Sequence, residues 1–373
     1  MPTAFVEPIY VTRTTLPPLE QYAKLLEGVW ERRYVTNNGP LVQQLGTRLA
    51  ERLGYAHGHL VTNGTIALQL ALRALGVKGS AITTPYSYVA TTNALIWEGI
   101  TPVFADVEPD YLTLDPDRIA AALRPDTTAI LATHVYGYPC RLQELRAVAD
   151  RFGLHLLYDA AHAFGVEVNG ESVLNFGDAS TLSFHATKCF HTIEGGLITT
   201  AEEGTAREID LLRSFGHVGR DYRGLGINAK LSELHAGVGL LNLDLLEDRR
   251  ARRRELSDLY HQELAETGLT SPDPANYPGL KYNYSYFPVR CPSEAVREDL
   301  VAFLNQRNVF PRRYFEPSLN ELPFVAAFDP ASCPVSERAA RTMLCLPLYP
   351  DLPPDHVRRI GAMVRAALVN AVA

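Results

Sequence analysis

T-L-S-F-H-A-T-K-C-F-H-T-I-E-G-G, residues 181–196, contains a strand, a break and a lysine. Thr181, Leu182, Ser183 and Phe184 suit a pleated, half-buried backbone. The chain then breaks over His185, Ala186, Thr187 and Lys188, closes on Gly195-Gly196, and resumes as a strand from Leu197 to Thr200. A lysine just past a strand end, among apolar residues, is placed to lose its charge. Desolvation favours the neutral amine, and a neutral amine forms a Schiff base. An exposed turn lysine is the other reading of this stretch taken alone.

The preceding segment, Gly153-Leu-His-Leu-Leu-Tyr-Asp159-Ala-Ala-His162-Ala, predicts a buried strand ending in an acid. In open α/β sheets the carboxyl edge of the strands is where ligands bind. Asp159 at that edge could equally cap a helix. But Asp159 ends one strand and Lys188 follows the next, so both can face one crevice. A lysine that makes an imine and a carboxylate that keeps a pyridine nitrogen protonated are the paired needs of pyridoxal phosphate (PLP) chemistry.

Farther upstream, His57–Thr62 predicts a strand, Asn63-Gly64-Thr65 a turn, and Ile66–Leu75 a helix. The free N–H groups at that helix start suit a phosphate, or the turn is an ordinary Asn or Thr cap. No P-loop or dinucleotide glycine pattern is present. Ala81–Tyr86 predicts a strand with Tyr88 just beyond it, an aromatic placed either to stack on a ligand or to pack in a core. Further strands are predicted at 101–107 and 127–135, with helices at 93–97, 116–123 and 142–152. Such alternation marks a parallel sheet with helices on both faces.

Residues 1–20, spotted with Pro2, Pro8, Pro17 and Pro18, predict an extended arm, followed by helices at 19–33 and 41–53. Beyond a helix at 202–213, the glycine-rich loop 214–229 carries Arg220, Arg223 and Asn228; loops this long are functional or mobile. Leu231, Leu234, Val238, Leu241 and Leu245 then form one apolar stripe, predicting a long amphipathic helix that links two domains. Strands at 282–289 and 309–313 alternate with helices at 293–306 and 354–369, the pattern of a smaller α/β lobe. The division expected is 1–245 for the arm and large domain and 246–373 for the small one.

The 373 residues are 46% hydrophobic and 21% charged, as in a soluble globular enzyme, and the net charge of −7 argues against nucleic acid or an anionic membrane as main partner. The basic run Arg249–Arg254 is flanked by Glu247, Asp248 and Glu255, which predicts a solvated helix face. Five cysteines without C-x-x-C spacing read as free thiols in a reducing compartment, Cys189 as a small buried residue. With no signal-peptide pattern and no membrane-length apolar run, a cytoplasmic protein is expected.

N-N-G-P-L-V-Q-Q-L at 37–45, V-T-N-G-T-I-A-L at 61–68, T-P-Y-S-Y-V-A-T-T-N-A at 84–94, Y-D-A-A-H-A-F-G at 158–165, S-F-H-A-T-K at 183–188 and G-I-N-A-K-L-S-E-L-H-A at 226–236 resemble, in order, the DegT/DnrJ/EryC1/StrS sugar aminotransferases. The resemblance spans nearly the whole chain. It implies fold type I of the PLP enzymes: a large domain with a mostly parallel seven-stranded sheet, plus a smaller C-terminal α/β domain. Lys188 would hold PLP, with pyridoxamine phosphate formed between half-reactions. Asp159 would pair with the ring nitrogen, and Tyr88 would stack on the ring. Gly64, Thr65 and Ser183 would hold the phosphate, and Asn228 would reach the partner subunit's cofactor phosphate in a homodimer with shared sites. His162 would approach the ring hydroxyl, or else be a core histidine making one hydrogen bond. Lys230 stands where many relatives carry arginine. Members with histidine at the Lys188 position are dehydratases, so the lysine favours transamination. The implied reaction moves an amino group from glutamate to a nucleotide-linked 4-keto-6-deoxy sugar. A 3-keto-sugar or cyclitol acceptor, or a PLP-binding regulator without turnover, are the alternatives.

Overall fold

In the computed structural model, which describes residues 3–372, the apolar runs assemble into one sheet. Its strands are β1 (His57–Val61), β2 (Ser80–Thr83), β3 (Thr101–Phe104), β4 (Thr127–Thr133), β5 (His155–Asp159), β6 (Ala179–Ser183) and β7 (Gly196–Thr200). They lie in the order β1-β7-β6-β5-β4-β2-β3. β7 runs antiparallel to both neighbours, and the other pairs are parallel. Six strands therefore deliver their carboxyl ends to one edge.

Adjacent residues point to opposite faces of a strand. Ile82, Leu156 and Leu197 pack on one face with α2 (Pro40–Leu53) and α6 (Leu142–Phe152); Ala81, Leu157 and Ile198 pack on the other with α3 (Gly64–Ala74), α4 (Ala90–Trp97) and α7 (Glu203–Leu212). This is the predicted α/β architecture, a mostly parallel seven-stranded sheet flanked by helices. The strands predicted at 81–86, 101–107 and 127–135 end sooner, at Thr83, Phe104 and Thr133. Thr84 Oγ1 accepts the Tyr86 N–H at 3.1 Å, and Asp106 Oδ1 accepts the Val107 N–H at 2.9 Å, so each side chain turns the backbone out of the sheet.

The predicted amphipathic helix differs from expectation. α8 (Glu233–Asp244) ends at a bend at Leu245, and α9 (Leu246–Leu264) starts immediately. α8 is buried on most of its circumference, including Ala236, Gly237, Gly239, Leu240 and Leu243, outside the leucine stripe. Small residues allow this: a Cβ on Gly239 would lie 2.9 Å from Leu45 Cδ2 on α2. The buried Glu233 carboxylate accepts the N–H groups of Leu41 and Val42 at 3.1 and 2.9 Å, capping α2, whose own N-cap is Gly39. The connection to the C-terminal lobe is α9. Its Leu246 packs with the sheet core, and its Leu256, Tyr260 and Leu264 pack with the lobe core.

That lobe pairs β8 (Phe287–Arg290) with β9 (Met343–Leu346) antiparallel, beside α10 (Glu294–Asn305) and α12 (Pro354–Val372). The N-terminal segment joins it: Ile9–Tyr10 runs parallel to Val309–Phe310, and Phe5 and Ile9 lie in its core. The first two residues of the predicted arm lie outside the described residues. Within the basic run, Arg250, Arg252 and Arg254 pair with Glu247, Glu255 and Asp258 at the surface, as expected. Arg253 does not: it is buried, and its Nη1 donates to the carbonyls of Leu348 and Ser285. No helix among the described residues is long and apolar enough to cross a membrane.

Candidate active site

A cavity of about 570 Å³ opens at the carboxyl edge of the sheet. β5 brings Asp159 to its floor, the following turn brings His162, β6 ends in Ser183 on its wall, and the next loop carries Lys188. That loop is pinned at its base. Phe184 N–H donates to Gly195 O, Thr192 N–H to Phe184 O and Lys188 N–H to His185 O, at 2.8, 3.0 and 2.9 Å. Phe184 and Phe190 pack edge-on with each other and against Phe164, anchoring the loop in the core while leaving the lysine at the cavity.

The Lys188 amine is brought down from 10.5 to about 8 by burial, against the opposing pull of Asp159. Asp159 is itself buried; loss of solvent raises its carboxyl. Hydrogen bonds from Thr91 Oγ1 to Oδ2 (2.8 Å) and from the Ala161 N–H to Oδ1 (3.1 Å), with the Lys188 charge, act the other way. His162 is held neutral by burial. Its ring stacks on Phe315 at 5.6 Å, edge-on to Tyr286 at 5.0 Å, and its buried Nδ1 has no partner. Nδ1 is sealed from solvent without a partner among the described residues, so the ring meets the cavity by another edge.

Gly64 and Thr65 open α3 over the same cavity. Asn63 Oδ1 accepts the Ile66 N–H at 2.9 Å, so the cap serves the third helical N–H. The first N–H groups have no intrahelical partner and suit an anion. Ser183 lies directly beneath: a Cβ on Gly64 would come within 2.8 Å of Ser183 Cβ. The cradle at this helix start closes only around glycine. Tyr88 lines the cavity with its residue 54% exposed, so its ring has a free face.

Asn228 lies elsewhere. It is exposed, absent from the cavity wall, and accepts a hydrogen bond from Lys230 Nζ at 2.8 Å. Its loop contains a short hairpin, His217–Val218 with Asp221–Tyr222, and exposes Tyr222, Leu225 and Ile227. Cys189 is half-buried, and its Sγ accepts contacts from Asn283 and Ser285 at 3.7 and 3.5 Å; all five cysteines are free.

Several wall residues had no sequence argument. Tyr286, Arg312, Tyr314 and Phe315 come from the C-terminal lobe. The buried Tyr86 fixes Tyr314 and Phe315: its hydroxyl lies 2.8 Å from Tyr314 O and accepts the Phe315 N–H at 3.1 Å. Ser87 and Thr91 lie within the 84–94 motif; the helix predicted from residue 93 begins at Ala90, which puts Thr91 in its first turn.

The donor set fits a phosphorylated pyridine aldehyde: an amine to bind its carbonyl, a carboxylate for a ring nitrogen, an unpartnered imidazole for a ring hydroxyl, and a glycine-only helix start for phosphate. The comparisons give the family. Residues 19–365 match the DegT/DnrJ/EryC1/StrS aminotransferase family. The dTDP-4-amino-4,6-dideoxy-D-glucose transaminase of Shigella dysenteriae is 41% identical over 365 residues, covering 96% of this chain and 99% of the relative. Its Escherichia coli counterpart of the same name is 38% identical over 363 residues, 95% of this chain and 98% of the relative. The crystal structure of DesI with its TDP-sugar product superposes with a TM-score of 0.94 at 35% identity, covering 99% of this chain and 95% of that one.

Proposed function

This chain belongs to the DegT/DnrJ/EryC1/StrS aminotransferase family, and we propose that it transfers an amino group from glutamate to a dTDP-linked 4-keto-6-deoxyhexose. The observation that carries this reading is Lys188 facing Asp159 across one cavity, the amine depressed to about 8. PLP, when bound, supplies an electron sink that stabilises negative charge at the substrate carbon. Asp159 would hold the ring nitrogen's proton, His162 would approach the ring hydroxyl, and Tyr88 would cover one ring face. Gly64, Thr65 and Ser183 would bind the phosphate. Lys188 Nζ, near neutrality, is the base placed to take the proton from the donor's Cα and to return a proton to the new amino-bearing carbon of the sugar.

Asn228 would complete the phosphate site of a second copy. Its exposure outside its own chain's cavity, on a loop with uncovered Tyr222, Leu225 and Ile227, supports a homodimer with shared sites. The free cysteines suit a reducing compartment, which favours the cytoplasm. The division at 245/246, where α8 meets α9, is retained as the domain boundary.

Product analysis tests the reading. Purified protein with PLP and glutamate should convert dTDP-4-keto-6-deoxyglucose to its 4-amino sugar, and borohydride should fix the cofactor on Lys188. Preferred turnover of the 3-keto isomer or of a keto-cyclitol would redirect the acceptor. Bound PLP without turnover of any of the three would favour a regulator.

A further inference from the structure

Asp159 does not meet the cavity alone. Beside it, three buried hydroxyls from three separate elements are hydrogen-bonded in series, and two of their residues, Ser87 and Thr133, also line the cavity. Thr91 comes from the first turn of α4, Ser87 from the loop after β2 and Thr133 from the end of β4; each is at most 2% exposed. Thr91 Oγ1 is 2.8 Å from Asp159 Oδ2, Ser87 Oγ is 2.7 Å from Thr91 Oγ1, and Thr133 Oγ1 is 3.2 Å from Ser87 Oγ. We propose that Thr133, Ser87 and Thr91 form a one-way hydroxyl relay that keeps Asp159 anionic and aimed at the ring nitrogen, with Thr91 as its positioning residue.

The direction follows from counting protons. An ionised carboxylate only accepts, so Thr91 must spend its single proton on Asp159. The Thr91 oxygen then has only lone pairs for Ser87, and Ser87 must donate to it. Ser87 in turn accepts from Thr133. All three O–H dipoles therefore point toward Asp159, and in a water-poor interior such aligned bonds reinforce one another. The other Asp159 oxygen receives the Ala161 N–H at 3.1 Å. Each carboxylate oxygen thus has one fixed bond, and the group cannot rotate without breaking both. The N-cap of α4, Val89, makes no side-chain hydrogen bond, so these hydroxyls are not part of a helix cap.

The relay answers a specific conflict. Burial raises the Asp159 carboxyl, and a protonated acid cannot hold a pyridinium. The Thr91 hydrogen bond is the foremost influence opposing that rise, ahead of the Ala161 N–H and the Lys188 charge. The titratable and charged groups facing Asp159 around the cavity are Lys188 and His162, with Arg312, Glu194 and His185 exposed in the wall and Tyr88, Tyr286 and Tyr314 among its aromatics. Lys188 loses its positive charge above about 8 and His162 is neutral, so neither secures the carboxylate as a permanent hydrogen-bond donor would.

The inference rests on the cofactor reading, and the experiment separates the two. PLP affinity of the apoprotein and the pH profile of kcat/KM are measured for wild type, Thr91→Val, Thr91→Ser, Ser87→Ala and Thr133→Val. A hydrogen bond to a charged group sets the scale: Thr91→Val should weaken PLP binding by about tenfold to a hundredfold. It should also move the acid limb of the profile to higher pH, because the Asp159 carboxyl rises when the bond is lost. Ser87→Ala should show the same two changes in smaller measure, Thr133→Val smaller still, and Thr91→Ser should restore both. If Thr91→Val does not fold, Ser87→Ala carries the test, since it removes a single oxygen. Folded Thr91→Val with unchanged PLP affinity and acid limb overturns the relay while the cofactor reading stands. So does an effect of Ser87→Ala larger than that of Thr91→Val. A wild type that takes up no PLP overturns both.

Discussion

Lys188 permits a measurement on the apoprotein alone. Its amine lies near 8, not at the ordinary 10.5, because burial outweighs the attraction of Asp159. At pH 7.5 an amine of pKa 8 is about 24% neutral, and one of 10.5 about 0.1%, a ratio of about 240. Only the neutral form attacks an electrophile. Trace acylation of the apoprotein with isotopic acetic anhydride, from pH 6 to 10.5, reads this directly. The Lys188 peptide is quantified by mass spectrometry, with exposed Lys24 as the internal reference. Labelling should rise with pH and level off above a midpoint near 8. Restricted access to the cavity lowers the plateau but leaves the midpoint in place. Asp159→Ala should move the midpoint lower still, since it removes the anion that favours the ammonium form. A midpoint near 10.5, or an upward move in Asp159→Ala, would refute the claim that burial neutralises this lysine.

Asp159→Asn should keep the fold, because the amide oxygen can take the Ala161 N–H while its NH2 donates to a Thr91 Oγ1 turned to accept, yet lose on the order of 10³-fold in kcat, as an amide stabilises no pyridinium. Near-normal kcat would show that the carboxylate is not the ring's partner. In Gly64→Ala the new Cβ would press on Ser183 at 2.8 Å, between backbone elements that cannot swing aside. Overpacking of this kind costs about 1–3 kcal/mol, so PLP affinity or thermal stability should fall, and both unchanged would refute the contact. The shared site is tested in mixed dimers of a Lys188→Ala chain and an Asn228→Trp chain. One site then carries both lesions and the other neither, so about half of wild-type activity should return. No recovery from verified mixed dimers, with each parent folded and inactive, would reject a cross-subunit Asn228.

Most of the large domain was legible because its chemistry is local. Asp159 and Lys188 follow apolar strands, Gly64 and Thr65 follow another, and the parallel sheet brings those ends to one edge. The C-terminal share of the cavity was not legible. Tyr286 and Phe315 reach it only because the lobe folds back onto the buried Tyr86, more than 190 residues earlier in the chain. Nothing near Phe315 in sequence announces that contact. The leucine stripe on α8 misled for a different reason. A helix with glycines at 237 and 239 packs its backbone as closely as other helices pack side chains, so its buried face is not its most apolar one. Arg253 shows the same limit: a charge run predicts solvent, and only the fold shows one of its members satisfied by interior carbonyls.

The parallel pairing of Ile9–Tyr10 with Val309–Phe310 has a bearing on how the chain is made. On a ribosome, residues 5–10 emerge about 300 residues before the strand that will receive them. At ~5–20 residues per second they wait roughly 15–60 s. The sheet needs nothing beyond Thr200 for its strands, so it is free to condense during that interval. Phe5 and Ile9, meanwhile, have no core to enter. Pro8 offers no N–H to a ladder, so the run that can pair beyond it is short. The C-terminal lobe is thus closed by the first part of the chain to be made and by nearly the last, and its core cannot be complete until synthesis is almost done.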